Sequence, residues 1–249
     1  MANYNRNFWI IPMIRFFIAI LLLITLQSVT LFAQSKTTVE YYGALRATIQ
    51  QADISANADL SEFKERENLY ALGAFENLKG EILILDGESF STQAINDEVQ
   101  FIDPFEEKAN LLVTARVESW EAIDLPGDIQ TMEDLQNVIE ETADRHGLDI
   151  DQPFPFIIEG EFGEIEWHVL DWPEGDNEHT HQKHRTSGPN GVLESQSAKI
   201  LGFWSDSHHG VFTHHSTNLH MHFVTEDETL AGHLDGLANG EGLTLYLPN

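Results

Sequence analysis

The chain has 249 residues, with 13 Lys and Arg against 41 Asp and Glu, a net charge of −28, and no cysteine. The strong negative charge disfavours nucleic acid and anionic membranes as partners, because both repel an acidic protein. Without cysteine the chain offers no disulfide, no thiolate metal site and no cysteine nucleophile, so metal ligands must be His, Asp or Glu.

The first 34 residues differ from the rest of the chain. Arg6 and Arg15 precede the apolar run FFIAILLLITLQSVTLFA, which contains the small residue Ala33. This pattern predicts a secretory signal peptide over residues 1–34, and therefore a secreted or periplasmic protein. The alternative is a retained membrane anchor, which four polar residues within the run disfavour: Thr25, Gln27, Ser28 and Thr30.

The segment that follows, residues 35–150, mixes helix and strand signals and forms one predicted half of the protein. Residues 37–55 contain both signals, and residues 60–75 predict a short helix that runs into a glycine turn. The stretch EILILDGESFST (81–92) predicts a β-hairpin, because an apolar run meets an Asp-Gly pair and a second strand follows.

Two further elements complete this half. Residues 109–123 predict a strand. Residues 131–147 predict a helix, because Thr131 and Asp134 have the spacing of a capping box and Gly147 marks the end.

The C-terminal half, residues 151–249, is dominated by strands. Strand-like segments cover residues 153–172, 198–204, 218–224, 230–237 and 243–248, and a polar loop covers 173–190. Helices are few and strict β-α-β alternation is missing. The sequence therefore predicts an α+β fold of two sheet-rich halves with mixed or antiparallel β-sheets.

A histidine pattern in the C-terminal half predicts a metal site. In NLHMHFVTEDETLAGH (218–233), His220 and His222 lie two apart and so point to one face of a strand. A hairpin centred on the acidic turn places His233 opposite His222, with His220 as the diagonal neighbour roughly 7 Å away. Three imidazoles with an open fourth position are typical of catalytic zinc, although other divalent transition metals accept the same ligands.

Most of the 12 histidines lie late in the chain. Besides the three candidate metal ligands, seven of them form two groups. For the loop group we expect an exposed or opportunistic metal-binding patch: His179, His181 and His184. For the second group partners of the metal ligands, extra ligands and rim residues all stay open: His208, His209, His214 and His215.

Four segments together resemble the α-acetolactate decarboxylase family. They are LGAFENLKGEILILDGESF (72–90), FPFIIEGEF (154–162), ILGFW (200–204) and LHMHFVTEDETLAGHLDGL (219–237). The resemblance is collinear and extends from about Tyr42 to the C-terminus, and the histidine spacing is its most specific part.

The resemblance implies a fold, a reaction and site residues. It implies an acetolactate-decarboxylase-like fold, possible homodimers, and a metal, usually zinc, on His220, His222 and His233. The implied reaction converts 2-hydroxy-2-methyl-3-oxobutanoate to acetoin and CO₂, with the metal stabilising an enediolate. The family's active-site glutamate falls on Glu81, which would donate the proton to the product carbon.

The chain departs from the family pattern at two positions. The family's site threonine falls on Ala74. Its arginine falls on His168 or a neighbour, and the nearest arginine, Arg185, lies well downstream. A protonated His168 could bind the substrate carboxylate instead, so we name it with Glu81 as a candidate catalytic residue.

These departures leave two alternatives to an acetolactate decarboxylase. One is an exported zinc-binding protein on the same scaffold without decarboxylase activity. The other is a related metal-enolate enzyme that acts on another keto acid. Under both enzyme hypotheses, the acetolactate decarboxylase and the related metal-enolate enzyme, the partner is a small 2-hydroxy-3-oxo or 3-oxo acid.

Overall fold

A computed structural model describes residues 37–125 and 129–249. The predicted signal peptide lies outside the described residues. The helices are α1 (Leu45–Gln51), α2 (Met132–Arg145) and α3 (His181–Arg185), with 3-10 turns at Leu60–Phe63, Glu76–Leu78 and Pro104–Glu106. The strands are β1 (Val39–Tyr42), β2 (Ala58–Asp59), β3 (Leu69–Phe75), β4 (Glu81–Leu85), β5 (Glu88–Ser89), β6 (Thr92–Ile95), β7 (Glu98–Phe101), β8 (Lys108–Arg116), β9 (Trp120–Asp124), β10 (Phe154–His168), β11 (Asn190–Trp204), β12 (Leu219–Thr225) and β13 (Ala231–Pro248).

Two antiparallel sheets confirm the predicted α+β class with few helices. The first sheet has the order β1-β8-β3-β4-β6-β7, with β2 beside β8 and β5 beside β4. The second has the order β10-β11-β12-β13-β9, and a further pairing of β10 with β13 closes four of its strands into a ring. The sheets change between β8 and β9, so β9 and α2 belong to the second layer although they precede residue 150. The division into halves at that residue stays a prediction.

Apolar packing joins the two layers. Leu72, Leu83 and Val113 of the first sheet pack in one cluster with Leu201 and Phe203 of the second. Each such side chain stabilises the fold by about 1.5–3 kcal/mol through the removal of apolar surface from water. The facing sheets therefore hold β4 of the first layer against β12 and β13 of the second.

Helix α2 covers the opposite face of the second sheet and begins as the sequence predicts. The Thr131 side chain accepts from the N–H of Asp134, and the Asp134 side chain accepts from the N–H of Thr131. Leu135 and Ile139, both fully buried, belong to the apolar face of this helix and pack in one cluster with residues of the second sheet.

The hairpin predicted over residues 81–92 is confirmed, because β4 pairs with β5 across the turn Asp86-Gly87. The helix predicted over residues 60–75 is wrong: only a 3-10 turn forms at Leu60–Phe63, and β3 follows. All seven residues of β3 are buried, and a short, wholly apolar run does not distinguish a central strand from a helix by periodicity.

Three other predicted boundaries change in the structure. The strand predicted over residues 109–123 is two strands, β8 and β9, in different sheets. The two strands predicted at 230–237 and 243–248 are the single β13, which bends across a register shift against β10. The polar loop contains α3. Among the described residues, no helix is both long and apolar enough to span a membrane.

Candidate metal centre

Three imidazoles converge where β12 meets β13. His220 and His222 lie on β12, and His222 is the register partner of His233 on β13, as the predicted hairpin requires. One nitrogen from each of the three rings lies within 4.8 Å of the other two. The local sequence produces this geometry, because strand alternation places His220 and His222 on one face and the turn places His233 opposite.

The spacing of the rings fits one shared ion. Two nitrogens bound to zinc at about 2.05 Å with a tetrahedral angle lie about 3.3 Å apart, and their ring centroids about 5.2 Å apart. Nε2 of His222 and Nδ1 of His233 are 3.2 Å apart. The three centroid separations are 5.1–5.2 Å. The His222–His233 nitrogen distance and the three centroid separations therefore match those of a tetrahedral divalent ion.

Burial keeps these imidazoles neutral, which is the form that binds metals. Desolvation lowers the pKa of His220 to about 4. It also lowers the pKa of His222 and His233 well below the ordinary value, and the neighbouring histidines reinforce the shift. The ligand set consequently offers lone pairs at neutral pH.

Glu81 is the buried acid beside this set. It begins β4, is 2 % exposed, and its Oε2 lies 3.6 Å from Nε2 of His222. The backbone N–H of Leu170 donates to Oε1. Burial raises the pKa of Glu81 to about 7, although His168 and the Leu170 N–H act in the opposite direction.

Gly80 explains why the strand that carries Glu81 can start where it does. Its φ is +124°, and a Cβ there would lie 2.2 Å from the carbonyl oxygen of Thr92. Only glycine accommodates both conditions. Across the sheet, Ala74 is the register partner of Glu81, so the two side chains lie on the same face of the sheet.

His168 lies on the other side of Glu81 and is held by a residue that the sequence analysis missed. Its Nδ1 donates to Oδ2 of Asp235 at 2.8 Å, since an ionised carboxylate only accepts. Its Nε2 then faces Oε1 of Glu81 at 3.8 Å. Asp235 could have been found, because it follows His233 by two residues and so shares its face of β13.

Close backbone approach places His168 next to the metal ligands. His168 is the register partner of His233. A Cβ at Gly232 would lie 2.8 Å from the His168 carbonyl oxygen, so glycine permits this contact. His168, His233 and Asp235 form a second group that could hold an ion, but His233 is shared and the other two bond to each other.

Arg185 reaches the site although it is distant in sequence from its neighbours. Helix α3 places its Nε 3.3 Å from Oδ2 of Asp235 and its Nη2 2.7 Å from Glu166. A guanidinium therefore enters this site from a helix downstream of β10, although no arginine lies at or next to position 168. Sequence reasoning could not find Arg185, because the loop that carries it folds back over the second sheet.

A single cavity of about 550 Å³ joins these groups. Its wall includes Glu81, His168, Arg185, His220 and His233. Among the described residues that line it, Arg185 is the only lysine or arginine. The cavity is large enough for a small organic acid and offers that acid one cationic group.

Six of the other histidines lie in the C-terminal half of the chain. His179 stacks on Trp172 with centroids 4.2 Å apart, and its Nδ1 lies 2.9 Å from Nε2 of His184. His208 stacks on Phe212, and His209 bonds to Asn218 outside the cavity wall. His181 and His214 line the cavity, and so does His184.

These features define a β-rich protein with a three-imidazole pocket and an adjacent buried carboxyl group, an arrangement suited to a divalent metal. The chain belongs to the alpha-acetolactate decarboxylase family, whose model matches residues 42–246. It is 23% identical over 193 residues to an alpha-acetolactate decarboxylase of Streptococcus thermophilus, which covers 77% of this chain and 75% of that protein.

Solved structures agree on the fold. One is a Staphylococcus aureus protein of unknown function similar to alpha-acetolactate decarboxylase, at a TM-score of 0.65 and 16% identity. Another is the alpha-acetolactate decarboxylase of Bacillus subtilis strain 168, at a TM-score of 0.64 and 15% identity. Each comparison covers 85% of this chain and 86% of the other.

Proposed function

We propose that the protein is a metal-dependent carboxy-lyase that acts on a 2-hydroxy-3-oxo acid, with acetoin and CO₂ as products from 2-hydroxy-2-methyl-3-oxobutanoate. One observation carries the proposal: the buried Glu81 carboxyl lies 3.6 Å from His222 and on the wall of the same cavity as His220 and His233. Family membership supports the same reaction class.

The metal would be held by His220, His222 and His233. A divalent ion there would supply Lewis acidity for the negative charge that develops on the substrate's carbonyl oxygen as CO₂ leaves. Zinc suits three imidazoles with an open position, and cobalt, nickel, manganese or iron can take the same ligands.

Glu81 would supply the proton that completes the reaction. When the bond to the carboxylate carbon breaks and CO₂ leaves, the electron pair stays on the substrate carbon. Glu81, with its pKa raised to about 7, is protonated in a substantial fraction of molecules at neutral pH and would give that proton to this carbon. The ionised Glu81 then regains a proton from water, so the group returns to its starting state.

Arg185 would bind the substrate carboxylate in place of the arginine that the family carries elsewhere. Nε and Nη2 of Arg185 hold Asp235 and Glu166, and these contacts fix the plane of the guanidinium. Nη1 has no hydrogen-bond partner among the described residues. His168, 5 % exposed and oriented by Asp235, would complete the polar wall beside Glu81.

The test is acetoin formation by the purified protein loaded with zinc. We expect turnover of acetolactate in the wild type and its loss in Glu81→Gln, with equal bound zinc by elemental analysis. Glu88→Gln, an exposed acid on the same hairpin, is the matched control and should keep full activity. Equal turnover in Glu81→Gln would remove Glu81 from the mechanism.

Ala74 opposite Glu81 is the observation that favours the second candidate, a metal-binding protein without this reaction. The methyl group of Ala74 cannot donate a hydrogen bond to Glu81, whereas a threonine hydroxyl at this position could. Tight zinc binding without turnover of acetolactate or of other small 2-hydroxy-3-oxo and 3-oxo acids would support this candidate and reject the enzyme.

A further inference from the structure

Two further histidines lie on the same cavity as the metal centre, apart from His220, His222 and His233. His181 belongs to α3, and His214 belongs to the loop before β12. These two residues, the outer pair, both line the cavity. His181 is exposed and His214 is half-exposed, so an ion in solvent can reach both.

The separation of the outer pair is that of two ligands on one ion. Rings bound at about 2.05 Å have centroids about 4.5 Å apart at a right angle and about 5.2 Å apart at the tetrahedral angle. The centroids of His181 and His214 are 4.7 Å apart. This value falls between those limits.

The ring nitrogens of the outer pair are available. Nδ1 of His214 bonds to the hydroxyl of Ser216 at 2.8 Å, which orients the ring and leaves Nε2 as the ligand atom. Neither ring nitrogen of His181 has a hydrogen-bond partner among the described residues. Partial desolvation lowers the pKa of both residues, so both are neutral at pH 7.

His215 lies beside the outer pair but does not join it in this arrangement. Its ring centroid lies 3.9 Å from that of His214, which is too close for both rings to bind one ion. Among the described residues, no third His, Asp or Glu converges with His181 and His214, so water would complete the coordination of an ion held by these two imidazoles.

The local charge also permits a cation. Arg185 opposes positive charge near His181, whereas Asp235 favours it. Because Glu166 and Asp235 both pair with Arg185, the formal charge of this trio is negative. The net charge of −28 on the whole chain further concentrates cations at its surface.

We propose that His181 and His214 form a second and weaker binding site for a divalent transition metal on the exposed wall of the cavity. This site does not depend on the proposed decarboxylase reaction. It gives these two histidines a role that the first metal centre does not explain.

The test is calorimetric titration of the metal-free protein with zinc, with cobalt absorption spectra as a second readout. We expect two phases in the wild type, one tight and one weaker, and only the tight phase in the double variant His181→Gln, His214→Gln. The matched control, His146→Gln with His209→Gln, removes two exposed histidines outside the cavity wall and should retain both phases.

The opposite variant separates this proposal from the metal centre itself. His220→Gln should weaken the tight phase and retain the weaker one, and circular dichroism will show whether the variant folds. A single equivalent in the wild type would overturn the second site, and so would a weaker phase that is unchanged in the outer-pair variant. Neither result depends on whether acetolactate is a substrate.

Discussion

Asp235 accepts a hydrogen bond from Nδ1 of His168 at 2.8 Å, and this contact fixes which nitrogen of His168 faces the cavity. Asp235 is buried at 3 % side-chain exposure. Its Oδ1 has no hydrogen-bond partner within the part of the chain that the structure describes. A buried, incompletely paired carboxylate is costly to maintain, so its position beside His168 indicates a positioning role.

Replacement of this carboxylate should impair turnover without loss of metal. We expect Asp235→Asn to lower kcat by about 10- to 100-fold, which corresponds to the loss of one charged hydrogen bond. The pH profile of kcat should also change, whereas a purely structural role would leave it in place. Asp124→Asn, on the exposed strand β9, serves as the control.

Arg185 should determine affinity for the carboxylate. In Arg185→Gln we expect KM to rise about 10- to 100-fold with a smaller change in kcat, because a charged contact to the substrate is lost. Arg185→Lys should be intermediate, since lysine keeps the charge but not the planar fork. Isothermal titration with the unreactive anion 2-hydroxy-2-methylpropanoate measures the same contact without turnover.

The control for the two Arg185 variants is Arg66→Gln, which removes an exposed ion pair with Glu40. It should leave KM unchanged. Unaltered binding of the anion in Arg185→Gln would assign carboxylate recognition to another group, with His168 as the first candidate.

The stability of the metal-free protein should depend on pH through Glu81. Its folded pKa of about 7 exceeds the ordinary 4.5, so the folded state binds this proton more tightly than the unfolded chain does. The contribution is fully present below pH 4.5 and is lost as the pH rises through 7. The full effect is on the order of 3 kcal/mol.

Urea unfolding of the chelator-treated wild type and of Glu81→Gln between pH 5 and 8 isolates this effect from other titrating groups. As the pH rises, the unfolding free energy of the wild type should fall relative to that of Glu81→Gln. A constant difference across that range would contradict the raised pKa.

Ala74→Thr should raise turnover, because the new hydroxyl would lie opposite Glu81 in the β3–β4 register. A neutral hydrogen bond contributes about 0.5–1.5 kcal/mol, which predicts an increase of roughly 2- to 10-fold in kcat. Ala74→Val adds similar bulk without the hydroxyl and should give no increase. A gain in both variants would point to packing instead.

Local patterns in the sequence were sufficient to predict the hairpin that brings the three histidines together. Alternation along β12 and the acidic turn are short-range signals, and the register of His222 with His233 follows from them. The α2 capping box was predicted for the same reason.

Other parts of the site depend on contacts that are distant in sequence. Glu81 was found through resemblance alone, because it meets His222 only when the two sheets pack. Arg185 was missed since α3 lies in a polar loop whose path over the sheet has no periodic signal. The β3 error has another cause, namely that a buried apolar run fits a helix equally well.

The closed ring of β10 to β13 has a consequence for exchange of backbone amide protons with solvent. His168, His222 and His233 lie in strands whose backbone pairs are tied to one another around that ring, so one strand cannot detach without breaking pairs on two sides. Amides next to these residues should therefore exchange deuterium only at the rate of global unfolding. Amides of the peripheral pair β6 and β7 should exchange far sooner, through local opening.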